Sequence, residues 1–190
     1  MPNWCENQLT VQVGSSLDDK QQKEALKQMK EFNKIALSNN ENNEDEDSSY
    51  VNGLFNKFIP EPPEMKDIHS GACTIDGKQH RVWREVDGKN IPLTDEDELM
   101  AKYGATNLYD WHCQNYGCKW DTGAYMSDCD DEYSRFEFET PWSPPIQFLE
   151  HLAARFPLLH ISCKYEEEGM GFMGCAKGQG FIDDNCVDTY

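Results

Sequence analysis

Residues 132–167 read EYSRFEFETPWSPPIQFLEHLAARFPLLHISCKYEE, and they carry the clearest secondary-structure pattern of the chain. Residues 132–140 alternate between polar and apolar side chains and place two phenylalanines on one face, which predicts a strand. Residues 158–167 and 171–181 flank the turn sequence EEGMG, which predicts two further strands. The last third of the chain therefore contains three strands, with one helix after the first of them.

That helix is predicted over residues 143–157. Ser143 suits the N-cap, because its side-chain oxygen can accept a hydrogen bond from the first helical turn, and Pro144 suits the first helical position. The apolar residues of one helical face recur at the expected spacing: Ile146, Leu149, Leu152, Ala153 and Phe156.

The N-terminal segment predicts another strand followed by a helix. Residues 4–13 alternate and place three aliphatic side chains on one face, namely Leu9, Val11 and Val13. Asp18 and Asp19 then open a helix, since acidic residues favour a helix N-terminus. Its apolar residues recur at helical spacing: Leu26, Met29, Phe32 and Ala36.

The region between these two parts predicts loops and a hairpin. Residues 38–53 are polar, acidic and without periodicity, which indicates a loop, and the three prolines within 55–67 exclude a long helix. Residues 73–93 are compatible with a hairpin, because the Asp-Gly pairs at 76–77 and 87–88 are typical turn sequences.

Two short helices complete this region. Residues 94–104 have Thr94 as the expected N-cap, acidic residues in the first turn, and Gly104 as the end of the helix. Residues 107–117 predict the second helix, which ends at Gly117.

The order of these elements predicts an α+β fold: a ferredoxin-like antiparallel sheet with helices on one face, plus a central insertion. We expect a single domain over residues 1–190, with its core from 1–38 and 118–182. The insertion at 39–117 holds an acidic loop at 39–53 and the short helices. The fold name refers to topology alone, because the cysteines lack the spacing of an iron–sulfur cluster.

Composition narrows the class of protein. The 190 residues are 38% hydrophobic and 12% aromatic, which is enough for a packed core. No apolar run approaches the length of a membrane span, and the start MPNWCENQLTVQV lacks a signal-peptide pattern. We therefore expect a cytoplasmic protein without a membrane partner, whose eight cysteines are reduced thiols.

The segment YDWHCQNYGCKWD at 109–121 has three interpretations. As a metal site it offers His112, Cys113 and Cys118, but structural zinc needs a second ligand pair that the chain lacks, so no metal or cofactor is expected. As a catalytic site it offers His112 beside Cys113, although catalytic pairs meet in space rather than as sequence neighbours. We favour a helix in the core, with three tryptophans packed against the sheet: Trp111, Trp120 and Trp142.

Two other motifs predict turns rather than ligand sites. Residues 127–139 place acids at several ligand positions of a calcium loop, but Tyr133 stands where that loop requires glycine. A solvated acidic hairpin turn is therefore the preferred interpretation. The glycines of KGQGF at 177–181 lack phosphate-loop spacing and predict a turn at a strand end.

Charge is the strongest compositional feature, since 35 Asp and Glu against 17 Lys and Arg give a net charge of −18. No direct nucleic-acid contact is expected, because affinity for phosphates comes largely from Lys and Arg. An acidic surface instead attracts basic proteins. The candidate partner-binding residues are spread along the chain: Glu44, Asp45, Glu46, Asp47, Asp95, Glu96, Asp97, Asp128, Asp130, Asp131, Glu132, Glu166, Glu167 and Glu168.

Three segments together resemble a known family. They are MPNWCENQLTV at the start, YGATNLYDWHCQNYGCKWD in the middle, and FETPWSPPIQFLEHLAARFP with YEEEGMGFMG near the end. In this order they are similar to the YubB-like proteins of enterobacterial plasmids and phages, which have a ferredoxin-like domain of the Api phage-protein type. The resemblance implies this fold and a mobile-element origin, but it implies no activity and no functional residues.

These observations predict a non-enzymatic acidic binding protein from a phage or plasmid, with no catalytic residue. Its partner would be a basic host protein, such as a DNA-binding protein or a defence nuclease. The protein would inhibit this partner by presenting a DNA-like negative surface, and their association would weaken at high salt. Two alternatives stay open: an acidic domain with a structural or regulatory role, and an enzyme that uses Cys113 and His112.

Overall fold

The structure, a computed structural model, describes residues 3–38 and 49–189. The strands are β1 (Trp4–Val13), β2 (Tyr50–Val51), β3 (Ile68–Ile75), β4 (Lys78–Val86), β5 (Lys89–Pro92), β6 (Ala124–Cys129), β7 (Tyr133–Pro141), β8 (Leu159–Glu167), β9 (Phe172–Gln179) and β10 (Asp183–Asp188). The α-helices are α1 (Asp19–Ala36), α2 (Leu54–Phe58), α3 (Glu96–Tyr103), α4 (Leu108–Asn115) and α5 (Ile146–Arg155), and a 3₁₀ turn covers Pro63–Met65. None of the helices in these described ranges is long and apolar enough to cross a membrane.

Seven strands form one antiparallel sheet in the order β10-β9-β8-β1-β7-β6-β2. Four neighbouring strands of this sheet, β8, β1, β7 and β6, occur along the chain in the order β1–α1–β6–β7–α5–β8. Helix α1 leads from β1 towards β6, and α5 joins β7 to β8. This is the split β-α-β topology of ferredoxin-like folds. The predicted fold class, including the central insertion between α1 and β6, is confirmed.

The alternation in the strands separates two faces of this sheet. In β1, Cys5, Leu9 and Val11 are buried, whereas Trp4 and Glu6 are exposed. The buried residues form one hydrophobic cluster with apolar residues of α1 and α5, namely Ala25, Met29, Phe32, Ala36, Phe148, Leu149, Leu152 and Ala153. The two helices therefore cover one face of the sheet, as predicted.

The insertion contributes to the same core. Strand β2 pairs with β6 at the edge of the sheet, and Phe55 of α2 is fully buried between Tyr116, Phe138 and Phe148. The acidic loop was predicted to extend to residue 53. This prediction is wrong for Tyr50–Val51, which form a strand because they pair with β6. The acidic part of that loop, 39–48, lies outside the described residues.

The predicted hairpin within 73–93 is part of a separate three-stranded sheet, β3-β4-β5. Both Asp-Gly turns are present, and all four of their residues have positive φ: Asp76 (47°), Gly77 (76°), Asp87 (50°) and Gly88 (72°). This backbone is the one that two-residue hairpin turns require, which explains why the Asp-Gly signal was informative.

Helix starts were predicted less accurately than helix interiors. Helix α3 has Asp95 rather than Thr94 at its N-cap, and α5 has Pro145 rather than Ser143, in both cases without a side-chain capping hydrogen bond. The Ser143 hydroxyl instead donates to the carbonyl of Gly117, 2.8 Å away, so a tertiary contact replaces the local cap. The Gly104 end of α3 is confirmed, whereas β10 was not predicted.

Candidate protein-interaction surface

The face of the large sheet opposite α1 and α5 forms a broad groove of about 1260 Å³. We call it the open face. Its central strands, β1 and β7, present alternate side chains there, including Trp4, Glu6 and Gln8 from β1 and Glu137 and Glu139 from β7. These are the polar positions of the strand alternation, so the groove has a polar floor.

Three glutamates form a row across this floor. Glu6 of β1 lies directly opposite Glu139 of β7 on one side and Glu166 of β8 on the other. Residues opposite each other in antiparallel strands have Cβ atoms about 5 Å apart, and like charges at such positions are destabilising. Within the described ranges, no ion pair involves any of the three. We call Glu166, Glu6 and Glu139 the glutamate row; its repulsion would be relieved by a cationic partner.

Exposed aromatic side chains border the glutamate row. The rings of Trp4 and Trp120 have centroids 6.2 Å apart at an interplanar angle of 72°, and these residues are 44% and 42% exposed. At the β6–β2 edge of the sheet, Tyr50 and Tyr125 also line the groove and form a pair with centroids 5.0 Å apart. Tryptophan and tyrosine are enriched in protein interfaces and dominate their binding energy.

A third exposed tryptophan lies at the same end of the sheet. Trp142 follows Pro141, which pairs with Trp4, and it has a positive φ of 72° that bulky residues rarely adopt. The Lys119 ammonium lies 4.8 Å from the centre of the Trp142 ring. Trp142 therefore lies near Trp4 at this end of the sheet, but it is not among the residues that line the groove.

The expectation that three tryptophans pack in the core is therefore wrong for two of them. Trp111 is buried, but Trp120 and Trp142 are exposed. Trp120 belongs to the segment after α4, which lines the groove at 120–123, whereas Trp142 follows β7. Part of the rest of the 109–121 segment agrees with a core role, since His112, Tyr116 and Cys118 are buried, whereas Tyr109 is 46% exposed.

Both ring nitrogens of His112 have hydrogen-bonding partners. His112 Nε2 lies 2.8 Å from Glu61 Oε1, and its Nδ1 lies 3.0 Å from the carbonyl oxygen of Lys119. Burial raises the pKa of the Cys113 thiol, which disfavours the thiolate that nucleophilic catalysis needs. Among the described residues, no group of three or more His, Cys, Asp or Glu is placed to hold a metal ion.

Charge within the groove is unbalanced. Five acidic residues line it, and Lys164 is the only lysine or arginine among the described residues of its lining. One of the five, Asp121, has a structural role, because it accepts hydrogen bonds from the backbone N–H groups of Phe55 (2.8 Å) and Asn56 (3.1 Å) at the start of α2. Burial raises the pKa of Asp121. The other four are Glu6, Glu137, Glu139 and Glu166, and Glu137 pairs with Arg135 at 3.2 Å.

Among the described residues, Glu166 is the only predicted acidic candidate that lines this groove. Glu44, Asp45, Glu46 and Asp47 lie outside the described residues. Near the start of α3, Asp95 forms an ion pair with Arg84 at 2.9 Å, and Glu96 and Asp97 follow it in the first turn of that helix.

The acidic hairpin between β6 and β7 lies at the far end of the sheet. It holds Asp128, Asp130, Asp131 and Glu132. The backbone N–H of Val13 donates to the Glu132 carbonyl, whereas Glu166 lies opposite Glu6, so about 24 Å along β1 separates Glu132 from Glu166. Asp128 is opposite Arg135 and so at the level of Thr10, about 14 Å along β1 from Glu6. Because Glu139 pairs with Glu6, it is too far from the hairpin to complete a calcium loop.

Only one of the three candidates at 166–168 lies on the open face. Glu166 lines the groove, whereas Glu167 is 1% exposed and its carboxylate accepts hydrogen bonds from the backbone N–H groups of Gly169 and Met170. Because Glu167 stabilises the turn between β8 and β9, it does not belong to an exposed acidic patch. Glu168 is exposed at that turn.

Sequence reasoning missed Glu6, Glu139, Trp4 and Trp120. The signal was present in the strand alternation, which places Trp4 and Glu6 on one face of β1 and Glu137 and Glu139 on one face of β7. It could not be read as a site, because only the register of three strands distant in sequence brings these residues together.

The fold and the open face define an α+β protein with a ferredoxin-like sheet, one face of which carries acidic and aromatic side chains. The family model described as a ferredoxin-like domain in Api92-like protein matches residues 115–186. This part of the chain, which includes β6 to β9 and α5, is therefore similar to the ferredoxin-like domain of Api92-like proteins. A crystal structure of a protein api92 from Yersinia pseudotuberculosis aligns over 99% of this chain and 98% of its own, with 13% sequence identity and a TM-score of 0.46. No curated protein matches the sequence.

Proposed function

We propose that the protein is a non-enzymatic binding protein that holds a basic partner protein against the open face. The observation that carries the proposal is the glutamate row, whose three like charges lie on adjacent strands beside the exposed Trp4 and Trp120. A guanidinium or ammonium group placed over this row would relieve the repulsion and could stack on the indole rings.

The same face argues for a protein rather than a nucleic acid. RNA-recognition motifs use a four-stranded sheet whose aromatic side chains stack on bases. Here the two central strands carry Glu6, Glu137 and Glu139 in the middle of the groove, and these carboxylates would repel phosphates. The net charge of −18 adds to this repulsion.

Within this class, a DNA-binding protein or a defence nuclease of the host is the partner that we propose. Such proteins carry clustered Lys and Arg for phosphate contacts, and an acidic partner would be steered to them at low ionic strength. The mobile-element origin implied by the sequence resemblance fits this proposal. The DNA-like surface expected from the dispersed acidic candidates stays a prediction, and the acidic and aromatic groove is the part of the surface that we propose as the binding site.

The experiment compares two variants with equal charge changes. The groove variant carries Glu6→Gln, Glu139→Gln and Glu166→Gln, and the hairpin variant carries Asp128→Asn, Asp131→Asn and Glu132→Gln. Each is immobilised, exposed to a bacterial lysate at low salt and washed with rising salt, and captured proteins are identified by mass spectrometry. We expect basic proteins on the wild type and on the hairpin variant, but not on the groove variant.

Affinity for one captured partner, after purification, gives the quantitative test. Removal of an interface hot spot costs about 2 kcal/mol or more, so Trp4→Ala should weaken binding by roughly 30-fold. Loss of binding in the hairpin variant alone would refute the groove as the site. If the wild type, the groove variant and the hairpin variant capture the same proteins in equal amounts, the alternative is favoured in which the charge serves solubility and the domain has a structural or regulatory role.

A further inference from the structure

Helix α1 carries a row of lysines on its solvent-exposed side. Five of them, spaced three, four, three and four residues apart, fall within a sector of about 80° when viewed along the helix axis: Lys20, Lys23, Lys27, Lys30 and Lys34. All five are exposed. In a chain with 17 lysines and arginines and a net charge of −18, this lysine row concentrates positive charge on a single surface.

The lysine row and the glutamate row lie on opposite sides of the molecule. The buried side of α1, which includes Met29 and Phe32, packs against the helix-covered face of the sheet. The lysines point away from that face, while Glu6 and its neighbours point to the open face. One copy of the chain therefore cannot bring its two charged surfaces together, but two copies can.

We infer that the lysine row of one copy docks on the glutamate row of a second copy. The spacings agree: along α1, Lys23, Lys27 and Lys30 are separated by rises of about 6.0 and 4.5 Å. Across the sheet, the glutamates lie on three adjacent strands about 4.8 Å apart. A helix crossing the strands thus places one ammonium group over each carboxylate.

Existing contacts of the helix do not prevent this docking. Within the lysine row, Lys27 pairs with Glu24 at 2.9 Å, but both side chains are largely exposed, and such surface pairs contribute little and exchange readily. An anionic membrane, a nucleic acid and a second copy would all meet repulsion from the rest of a chain with net charge −18, so net charge does not discriminate between them. A second copy offers negative charge in the matching geometry.

The contact is heterologous, since two different surfaces meet, so it can extend from copy to copy. It also occupies the open face. The inference goes beyond the proposed function and does not depend on it, but if both hold, self-association and partner binding compete for the glutamate row.

The test uses charge reversal in the full-length chain and sedimentation velocity at low salt. The helix variant carries Lys23→Glu, Lys27→Glu and Lys30→Glu, and the face variant carries Glu6→Lys, Glu139→Lys and Glu166→Lys. We expect the wild type to associate with rising concentration and to return to its 21.9 kDa monomer at about 1 M salt, where the screening length is about 3 Å. Each variant alone should be monomeric, and a mixture of the two should associate.

A matched control has the same charge change as the helix variant on another surface. It carries Lys78→Glu, Arg81→Glu and Lys89→Glu in the three-stranded sheet, and it should associate as the wild type does. Circular dichroism verifies that each variant is folded. The experiment contains no partner protein, so its outcome is independent of the proposed function.

Several outcomes would overturn the inference. A wild type that stays monomeric at every concentration excludes the contact, and a mixture that fails to associate excludes these two surfaces. Binding of a monomeric wild type to vesicles of phosphatidylcholine and phosphatidylserine, lost in the helix variant, would assign the lysine row to a lipid surface instead.

Discussion

The substitution Phe55→Ala tests whether the insertion and the ferredoxin-like sheet share one core. Phe55 is fully buried, and its ring centroid lies 4.4 Å from that of Phe148, 5.3 Å from that of Tyr116 and 5.6 Å from that of Phe138. Replacement of a buried phenylalanine by alanine costs about 3–5 kcal/mol, and the three ring contacts of Phe55 support a value of at least the middle of that range.

The expected loss is therefore about 4 kcal/mol, a large part of the roughly 5–15 kcal/mol that stabilises a typical domain. For a chain of this size, each kcal/mol lowers Tm by about 2–4 °C, which predicts a decrease of about 8–16 °C. Urea unfolding and calorimetry should both detect a single transition, because loss of the contact weakens sheet and insertion together.

Val86→Ala is the control, because Val86 is exposed in the three-stranded sheet and its truncation should change the free energy of unfolding by less than about 0.5 kcal/mol. A decrease in Tm of less than about 2 °C for Phe55→Ala would refute the shared core. So would separate unfolding of the insertion while the sheet stays folded.

Three other predictions concern single side chains. Asp121→Ala removes the acceptor at the start of α2 and should lower the free energy of unfolding by about 0.5–2 kcal/mol; an unchanged urea midpoint would contradict this role. Hydrogen bonds from Lys102 lower the pKa of Glu64 from 4.5 to about 2, so the stability from this contact is present above pH 4.5 and lost as the pH falls towards 2. An NMR titration of the Glu64 carboxyl carbon measures this directly, and a midpoint near 4.5 would exclude the contact in solution. Burial raises the pKa of the Cys118 thiol to about 12, so at pH 8 iodoacetamide should modify the exposed Cys186 long before Cys118, as mass spectrometry of peptides would record.

Local patterns in the sequence were sufficient for most of the secondary structure. The alternation in residues 4–13 and 132–140 became β1 and β7, and the helical spacing of Met29, Phe32 and Ala36 became the buried face of α1. These features depend on neighbours only a few residues apart, so the chain order of strands and helices predicted the ferredoxin-like topology. The short strand β2 was missed because its pairing partner, β6, is more than 70 residues away.

The candidate site depends instead on contacts between segments that are distant in the sequence. The sequence alone determined that Glu6, Glu139 and Glu166 lie on the polar sides of their strands, since alternation assigns each strand its two faces. Only the tertiary structure decided that the three lie side by side, because strand register depends on packing and turn geometry over the whole sheet. The exposure of Trp120 was decided in the same way, because the segment after α4 lines the groove on the open face. The faces of each element are thus a local property of this chain, whereas the surface they form together is a property of its fold.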